Sequence, residues 1–201
     1  MTNNPNSEKA PIVVGVTGAS GVIYAREFIR ELARQRVETH LIVSDHARTV
    51  AAAELGVSGE FEQWLSLNES VHACVRLQRF DDVAASCASG TFRIRGMAIL
   101  PCSMNTLGAL AHGIADNLIT RAADVCLKER RKLVVCPRET PLSLIHLRNM
   151  AALAEAGATI MPCMPGFYHA PETIDDLLQL FTMKLCDQFD LPCSFSHRWL
   201  K

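Results

Sequence analysis

The sequence has no marked excess of charge of either sign and no long apolar run. Its 201 residues include 20 Lys and Arg against 21 Asp and Glu, a formal net charge of −1. A nearly neutral chain gives no electrostatic reason to expect binding to nucleic acid or to an anionic membrane surface. No uncharged stretch approaches the roughly 18 apolar residues of a membrane-spanning helix, and residues 1–10 lack the apolar core of a signal peptide. We therefore expect a cytoplasmic protein.

The patterns that would indicate a metal centre or a redox pair are also missing. None of the eight cysteines forms a C-x-x-C pair, and most stand in apolar surroundings, such as Cys126 between Val125 and Leu127. A free thiol behaves as a small buried hydrophobe, and cytosolic proteins keep their thiols reduced. We expect reduced cysteines in the core and no metal site.

Short apolar runs alternate with helical patterns along the chain. Five of these runs end at Gly, Ser or Pro, which is typical of strands buried on both faces. The predicted strands are 12–16, 37–43, 96–100, 133–136 and 158–161, and the predicted helices are 22–34, 47–55, 106–112, 118–130, 142–156 and 174–189. Thr173 with Asp176 predicts a capping box, Pro141 a first helical turn and Gly157 a helix end. For the scattered pattern of residues 56–90 we expect a helical excursion and a loop.

This alternation defines the expected architecture. Strands that alternate with helices predict right-handed crossovers and an open parallel sheet. A chain of 201 residues fits one domain with a sizeable core. We expect a single α/β domain, built on a doubly wound open parallel sheet, over residues 11–201. Residues 1–10 are predicted to be a disordered tail.

The first predicted strand runs into a glycine-rich loop, G-V-T-G-A-S-G, from Gly15 to Gly21. This G-x-x-G-x-x-G spacing differs from the G-x-G-x-x-G of dinucleotide enzymes, and no Walker-type Gly-Lys-Ser/Thr follows. The second strand ends at Ser44, where a dinucleotide enzyme places an acid on the ribose. The pattern indicates a mononucleotide site. Asp45 leaves the dinucleotide option open, and a tight turn that binds nothing is the further alternative.

Two later strand ends carry polar side chains. Ser103 and Thr106 follow the third strand and open a helix, which favours an anion or heterocycle site, with ordinary helix capping as the alternative. Arg138 and Glu139 follow the fourth strand, which favours phosphate binding beside an acid/base carboxylate, with a structural ion pair as the alternative. Because α/β proteins bind ligands at the carboxyl ends of parallel strands, these segments together suggest chemistry on phosphorylated molecules.

The loop after the last predicted strand, from Met161 to His169, is rich in proline and apolar residues. It is typical of a stiff segment that lines an apolar pocket, to which Tyr168 would add a polar tip. A single histidine beside a tyrosine is more often structural than catalytic, and we interpret His169 in that way.

In chain order, the segments V-T-G-A-S-G, P-C-S-M-N-T-L, L-K-E-R-R-K-L-V, P-R-E-T-P, P-G-F-Y-H-A-P and a closing R-W resemble the UbiX/Pad-type flavin prenyltransferases. The resemblance runs from about residue 12 to Trp199. It implies a flavodoxin-like doubly wound fold and a symmetric homo-oligomer, commonly a dodecamer. It also implies a reaction in which reduced FMN and dimethylallyl monophosphate give prenylated FMN, the cofactor of UbiD-type decarboxylases.

The resemblance carries over to particular residues. It implies an FMN site formed by Gly18, Ala19, Ser20, Ser44, Ser103, Met104, Asn105, Thr106 and Arg121, with Ser20 near the flavin N5. It implies a prenyl-phosphate site formed by Lys128, Arg138, Glu139, Tyr168, Lys184, Ser89, Gly90 and Trp199, parts of it reached across a subunit interface. Glu139, Ser20, Lys128 and Glu54 are the implied catalytic residues. Asn105 is often lysine in the family, and Lys184 is often arginine.

Two other functions remain open at this stage. The segment C-S-M-N-T from Cys102 and H-G-I-A-D-N-L from His112 also resemble FMN-dependent cysteine-type decarboxylases. Those enzymes need a catalytic histidine and a P-x-M-N substrate loop, whereas the late loop here reads M-P-C-M-P-G-F-Y-H. The third interpretation is an FMN-binding accessory subunit of a decarboxylase. Neither Asp pair, Asp81-Asp82 or Asp175-Asp176, continues into a D-D-x-x-D cluster of the kind that binds Mg²⁺, so we expect an enzyme that needs no metal.

Overall fold

Six parallel strands form one sheet at the centre of the molecule. In the computed structural model, which describes residues 10–56 and 73–195, the strands are β1 (Ile12–Val16), β2 (Thr39–Val43), β3 (Val75–Gln78), β4 (Gly96–Cys102), β5 (Lys132–Pro137) and β6 (Thr159–Ile160). Their order across the sheet is β3-β2-β1-β4-β5-β6. Every residue of β1, β2 and β4 is buried, as expected of strands covered by helices on both faces.

The helices confirm the predicted alternation of strand and helix. They are α1 (Val22–Arg34), α2 (Asp45–Leu55), α3 (Met104–Ala111), α4 (Leu118–Lys128), α5 (Leu144–Glu155) and α6 (Ile174–Gln188). The capping box of Thr173 and Asp176 is present at the start of α6, and Gly157 follows α5 with a φ of 102°. The prediction for Pro141 was wrong, because Ser143 caps α5 and the helix begins only at Leu144.

The stretch predicted as a helical excursion and a loop, residues 56–90, contains a strand instead at its far end. β3 pairs with β2 from Thr39 opposite Val75 to Ile42 opposite Gln78. Its residues are only half-buried or exposed, with Leu77 43% exposed, because β3 is an edge strand. The sequence V-R-L-Q therefore lacks the apolar run that marks the central strands. Residues 57–72 lie outside the described part of the chain.

The strand order confirms the doubly wound α/β fold and locates its switch point. The five predicted strands lie in the order of flavodoxin-like sheets, and β3 adds a sixth strand outside β2. The chain winds from β1 towards β3 and then returns to the other side of β1 with β4. A crevice is expected at the carboxyl ends of β1 and β4, where the direction of winding reverses.

Two apolar layers, one on each face of the sheet, hold this single domain together. On one face α1 and α6 pack against the sheet, with the rings of Phe28 and Phe189 6.2 Å apart. On the other face α4 contributes Leu118 and Ile119 beside Met97 of β4. The predicted tail lies outside the described residues except for Ala10. Within residues 10–56 and 73–195, no helix is both long and apolar enough to cross a membrane.

The cysteines fill space in these layers, largely as predicted. Five of the eight are buried, and Cys74, Cys163 and Cys193 are half-buried. Burial raises the pKa of Cys126 to about 12 and that of Cys163 to about 12. These thiols are therefore neutral near pH 7 and are poor nucleophiles.

Candidate functional site

The buried Thr17 ties the ends of β1 and β4 together at the switch point. Its hydroxyl donates a hydrogen bond to the carbonyl oxygen of Pro101 at 2.9 Å and accepts one from the Ser103 N–H at 2.7 Å. The Thr17 N–H also donates to the Pro101 carbonyl at 3.2 Å. The glycine-rich loop and the start of α3 are thus held against each other, which fixes the floor of the crevice.

The glycines of this loop are required by packing and by backbone conformation. A Cβ atom on Gly18 would lie 2.4 Å from the Cβ of His46, so only glycine allows α2 to approach the loop this closely. Gly21 has a φ of 101°, in the left-handed region that other residues disfavour. The tight-turn interpretation therefore accounts for these glycines, and the contact of Gly18 and Ala19 with FMN stays a prediction.

The peptide unit between Ser20 and Gly21 is held from both sides by charged side chains. Its carbonyl oxygen, that of Ser20, accepts a hydrogen bond from Nε of Arg138 at 3.1 Å. Its N–H, that of Gly21, lies 2.9 and 3.0 Å from the two carboxylate oxygens of Glu54. The N–H of Val22 donates to Oε2 of Glu54 at 3.0 Å. The structure thus brings together three of the predicted site residues, from the ends of β1, α2 and β5.

This position of Glu54 has a clear electrostatic meaning. The first N–H groups of a helix have no partner within the helix and carry partial positive charge, so they attract anions. Dinucleotide-binding proteins place a pyrophosphate at the helix that follows β1. Here the Glu54 carboxylate lies on the first N–H groups of α1. The sequence pattern identified Glu54 by resemblance alone and contained no signal for this contact, which joins residues 33 positions apart.

The predicted FMN-binding serines cap helices. The Ser44 hydroxyl accepts a hydrogen bond from the Ala47 N–H at 3.2 Å and begins α2. The Ser103 hydroxyl accepts one from the Thr106 N–H at 3.3 Å and donates to the Thr106 hydroxyl at 3.1 Å. The capping alternative is thus correct for Ser103, and Ser44 proves to be a cap as well, while contact of either serine with FMN stays a prediction. Met104 and Asn105 form the first turn of α3, so their N–H groups lie at the anion-attracting end of that helix.

A second group of predicted residues lies at the end of α4. Nζ of Lys128 is 2.5 Å from Oε1 of Glu129. Gly90 adjoins both side chains, since a Cβ there would be 2.9 Å from Nζ of Lys128. Arg131 stands in the basic run K-E-R-R-K, a pattern typical of a solvated surface, but it is half-buried and donates hydrogen bonds to the carbonyl oxygens of Gly90 and Phe92. Arg131 therefore fixes the Ser89-Gly90 loop beside Lys128, a role that the sequence pattern did not reveal.

The third group of predicted residues, Tyr168 and Lys184, is exposed. Tyr168 is 84% exposed. A Cβ atom on Gly166 would be 3.3 Å from the Tyr168 ring and 3.4 Å from Cδ2 of Leu180, and the exposed Lys184 lies one helical turn beyond Leu180. Tyr168 and Lys184 therefore belong to one surface around the late loop. His169 contacts the carbonyl oxygen of Asp176 at 3.1 Å, in agreement with the structural role predicted for it.

The remaining predicted residues are placed as follows. Glu139 is exposed, and its carboxylate accepts a hydrogen bond from the neighbouring Thr140 N–H at 2.9 Å. Arg121 is paired with Asp124 on α4 at 2.9 Å. Trp199 lies outside the described residues. Within the described ranges, 10–56 and 73–195, no group of three or more His, Cys, Asp or Glu side chains is arranged to hold a metal ion.

A cavity of about 390 Å³ lies away from the switch point, at the ends of β2 and β3. It is lined by Val43, Asp45, Arg48 and residues 77–81. A dinucleotide enzyme would hold its ribose near this position. Because Glu54 occupies the first N–H groups of α1, the pyrophosphate of such a ligand would meet a carboxylate there. The arrangement therefore disfavours the dinucleotide option that Asp45 had left open.

Comparisons with known proteins agree with the geometry. A protein-family model described as Flavoprotein matches residues 1–185. The chain is 47% identical over 188 residues to the flavin prenyltransferase UbiX of Thauera aromatica, covering 94% of this chain and 93% of that protein. The crystal structure of AnUbiX in complex with FMN and dimethylallyl pyrophosphate matches with a TM-score of 0.87 and 40% identity, covering 96% of this chain and 98% of that one. A dodecameric FMN-dependent UbiX-like decarboxylase from Escherichia coli O157:H7 matches with a TM-score of 0.85 and 41% identity, covering 95% and 100%.

Proposed function

The chain belongs to the UbiX-type flavin prenyltransferases of the Flavoprotein family, and we propose that it joins a dimethylallyl group to reduced FMN. The allylic C–O bond of dimethylallyl monophosphate breaks, and phosphate leaves. N5 of the flavin bonds to the allylic carbon and loses a proton. Protonation of the remaining C=C bond then allows its tertiary carbon to bond to C6, which loses a proton, and a fourth ring closes. The product is prenylated FMN.

The observation that carries this proposal is the meeting of three strand ends at the switch point. The loop after β1 brings Ser20, the end of β4 brings Ser103, and the end of β5 brings Arg138. FMN fits this crevice because it has one phosphate and a polar ribityl chain. The start of α3 offers first-turn N–H groups and the hydroxyls of Ser103 and Thr106. The start of α1 is closed to phosphate by Glu54.

The chain's own residues supply binding, orientation and proton transfer. Ser20 and Glu139 are the groups we assign to proton handling, and Glu139 projects from the end of β5 beside Arg138. Arg138, Lys128 and Lys184 stabilise the departing phosphate, because fixed cations near a developing anion lower the barrier. Tyr168 adds a hydrogen bond. Excluding water from the pocket protects the reactive allylic carbon.

A symmetric oligomer is needed to complete the pocket. Leu153 is the one buried residue of α5, whereas its apolar residues Leu144, Ile145 and Leu147 are exposed, Ile145 by 68%. Phe167 and Met164 beside Tyr168 are also exposed. α5 packs on α3, the helix whose first turn we assign to the FMN site. We propose a homo-dodecamer, in which neighbouring copies cover these surfaces and bring Lys128, Tyr168 and Lys184 to the flavin held by Ser20.

The decisive experiment is mass analysis of the flavin released after anaerobic incubation with reduced FMN and a prenyl donor. We expect a gain of one five-carbon isoprene unit with dimethylallyl monophosphate. A parallel incubation with the diphosphate is needed, because the related AnUbiX structure contains dimethylallyl pyrophosphate. Unmodified FMN in both incubations would contradict the proposal.

The two alternatives give different results in the same incubation. A cysteine-type decarboxylase would release carbon dioxide from a peptide with a carboxy-terminal cysteine and leave FMN unmodified. An accessory subunit would bind FMN without converting either compound. We further propose that the product serves a UbiD-type decarboxylase, which activation of such a decarboxylase by the reaction product would test. We also propose that the protein works in the cytoplasm.

A further inference from the structure

The Ser20–Gly21 peptide unit is the point at which the flavin-side and phosphate-side residues meet. We infer that Glu54 and Arg138 act together as a clamp on this peptide unit, so that Glu54 is a positioning residue for Ser20 and Arg138 couples the prenyl phosphate to the flavin loop. The inference rests on the proposed function for the placement of Ser20 beside the flavin and of the prenyl phosphate beside Arg138.

The hydrogen-bond geometry defines the clamp. A peptide unit can present its C=O and N–H groups in either of two opposite directions by rotating about the bonds that flank it. Here the carbonyl oxygen is bound by Nε of Arg138 and the N–H by the carboxylate of Glu54, at 3.1 and 2.9 Å. Reversing the peptide would break both contacts. Since each involves a charged group, each is worth more than a bond between neutral partners.

Gly21 makes the clamped orientation accessible. Its φ of 101° is disfavoured for residues that carry a Cβ, and an added Cβ would lie 3.2 Å from the Tyr24 ring. The same glycine that allows this orientation would also allow others, so the conformation of the loop depends on the two side chains that hold it. Glu54 reaches the loop from the last turn of α2, and Arg138 reaches it from the end of β5. β5 is a strand of the central sheet, and α2 packs in the apolar layer on one face of it through Ala47 and Ala51.

The guanidinium group of Arg138 can also bind a phosphate while its Nε atom holds the Ser20 carbonyl oxygen. Its Nε atom donates to Ser20, whereas the terminal nitrogens of the guanidinium group make no hydrogen bond to any described residue. A guanidinium group offers five N–H donors in a planar fork, so it can hold a carbonyl oxygen and a phosphate at once. The phosphate donor would thus bind to a side chain that already holds the flavin loop, whereas a lysine would have to contact both groups through its single nitrogen.

The clamp predicts non-additive effects on FMN affinity. Glu54→Ala or Arg138→Ala alone should weaken FMN binding by about 10-fold, because a loop that has lost a charge-assisted bond must be ordered again when the ligand binds. The double variant should be weakened by about 10-fold as well, against the roughly 100-fold expected for independent sites. Glu54→Gln, which keeps one acceptor oxygen, should lie between the wild type and Glu54→Ala.

Hydrogen exchange measured by mass spectrometry supplies an independent readout. The peptide that contains Gly21 and Val22 should exchange faster in Glu54→Ala, because both N–H groups lose their acceptor. Unchanged slow exchange in buried β1 shows that the variant is folded. The matched control is the pair Glu27→Ala and Arg79→Ala, which removes the same charges from ion pairs with Arg30, Arg34 and Asp81. These control variants should leave FMN affinity unchanged.

Kinetics with the prenyl donor separate the two side chains. Glu54→Ala should lower kcat without raising KM for dimethylallyl monophosphate, whereas Arg138→Ala should change both. Additive losses of FMN affinity, or unchanged exchange at Gly21 and Val22 in Glu54→Ala, would overturn the clamp. Both of those measurements use FMN binding or the protein alone. If the wild type failed to prenylate FMN, the proposed function would fail while the clamp could still be confirmed or rejected.

Discussion

The crevice at the switch point is held together by hydrogen bonds within one chain, whereas the late loop and α5 leave large side chains exposed to solvent. In the crevice, Thr17, Ser20 and Arg138 are linked by hydrogen bonds of 2.7 to 3.2 Å that join β1, β4 and β5. In the late loop and on α5, by contrast, Tyr168 and Ile145 are 84% and 68% exposed. A single chain thus holds the crevice together by itself, whereas in the proposed oligomer another copy would cover the exposed residues.

The largest effect on the rate of prenyl transfer should come from the carboxylate of Glu139, next to Arg138 at the end of β5. Glu139→Gln keeps the size of the side chain and its hydrogen bond from the Thr140 N–H, but it removes the ability to take up a proton. We expect prenylated-flavin formation to slow by about 10²–10⁴-fold, the usual contribution of a positioned acid or base, with FMN affinity unchanged. Single-turnover rates and FMN titration measure the two quantities. Near-normal turnover would reassign Glu139 to a structural role.

The second prediction tests whether another copy of the chain covers the exposed apolar side of α5. Ile145→Asp places a charge on the exposed apolar side of α5, where burial against another copy would leave it unpaired and cost several kcal/mol. We expect smaller assemblies by light scattering, and turnover reduced by about 10- to 100-fold if neighbouring copies supply part of the pocket. Val83→Asp, an equivalent change at a loop residue that is 49% exposed, is the control and should leave both unchanged. A monomeric but fully active Ile145→Asp would contradict the shared pocket.

These two regions also differ in what could be predicted from the sequence. The alternation of apolar runs and helical patterns located α1 and β1 at their observed bounds, because buried strands and capped helices leave local signals. β3 was missed, since an edge strand with Leu77 facing solvent lacks the buried pattern. The chain order of polar strand ends also identified the crevice, because parallel strands bring those ends to one edge.

Contacts between distant parts of the chain had no local signal. The Glu54 carboxylate looked like one charge in a helix and proved to lie on the N–H groups of Gly21 and Val22. Arg131 lies in the basic run K-E-R-R-K, which is typical of a solvated face. It nevertheless donates hydrogen bonds to the carbonyl oxygens of Gly90 and Phe92. In both cases the partner is a backbone group whose position depends on the tertiary fold.

A third prediction distinguishes Lys128, which we assign to the prenyl phosphate alone, from Arg138, which also contacts the flavin loop. Lys128 lies at the end of α4 beside Gly90 and has no contact with the Ser20 loop among the described residues. Lys128→Ala should therefore raise KM for dimethylallyl monophosphate by about 10- to 100-fold, the loss of one charge-assisted contact. FMN affinity should not change, in contrast to Arg138→Ala. Initial-rate kinetics and flavin titration test this. A weakened affinity for FMN in Lys128→Ala would place Lys128 on the flavin side.

A smaller effect is expected at the cap of α3. Ser103→Ala removes the hydroxyl that accepts from the Thr106 N–H, and loss of such a cap costs about 1 kcal/mol. The free energy of unfolding from urea titration should fall by that amount, and FMN affinity should fall with it if the hydroxyl also contacts the ligand. Ser143→Ala at the start of α5 removes a comparable cap from the other region and should lower stability alone. Equal FMN affinities in both variants would remove Ser103 from the flavin site.

The smallest effect concerns metal ions, and it follows from how the acidic residues are used. Enzymes that use prenyl diphosphates gather Mg²⁺ on D-D-x-x-D clusters, but the two Asp pairs here continue as V-A-A after Asp82 and L-L-Q after Asp176. Asp81 holds Arg79 through two hydrogen bonds, and Asp176 accepts from the N–H groups of Glu172 and Thr173. In the proposed function, the phosphate charge is therefore met by Lys128, Arg138 and Lys184. We expect the rate of prenyl transfer from the monophosphate to be the same with EDTA as with Mg²⁺. Strict dependence on Mg²⁺, or faster transfer from the diphosphate, would show that these cations do not form the phosphate site.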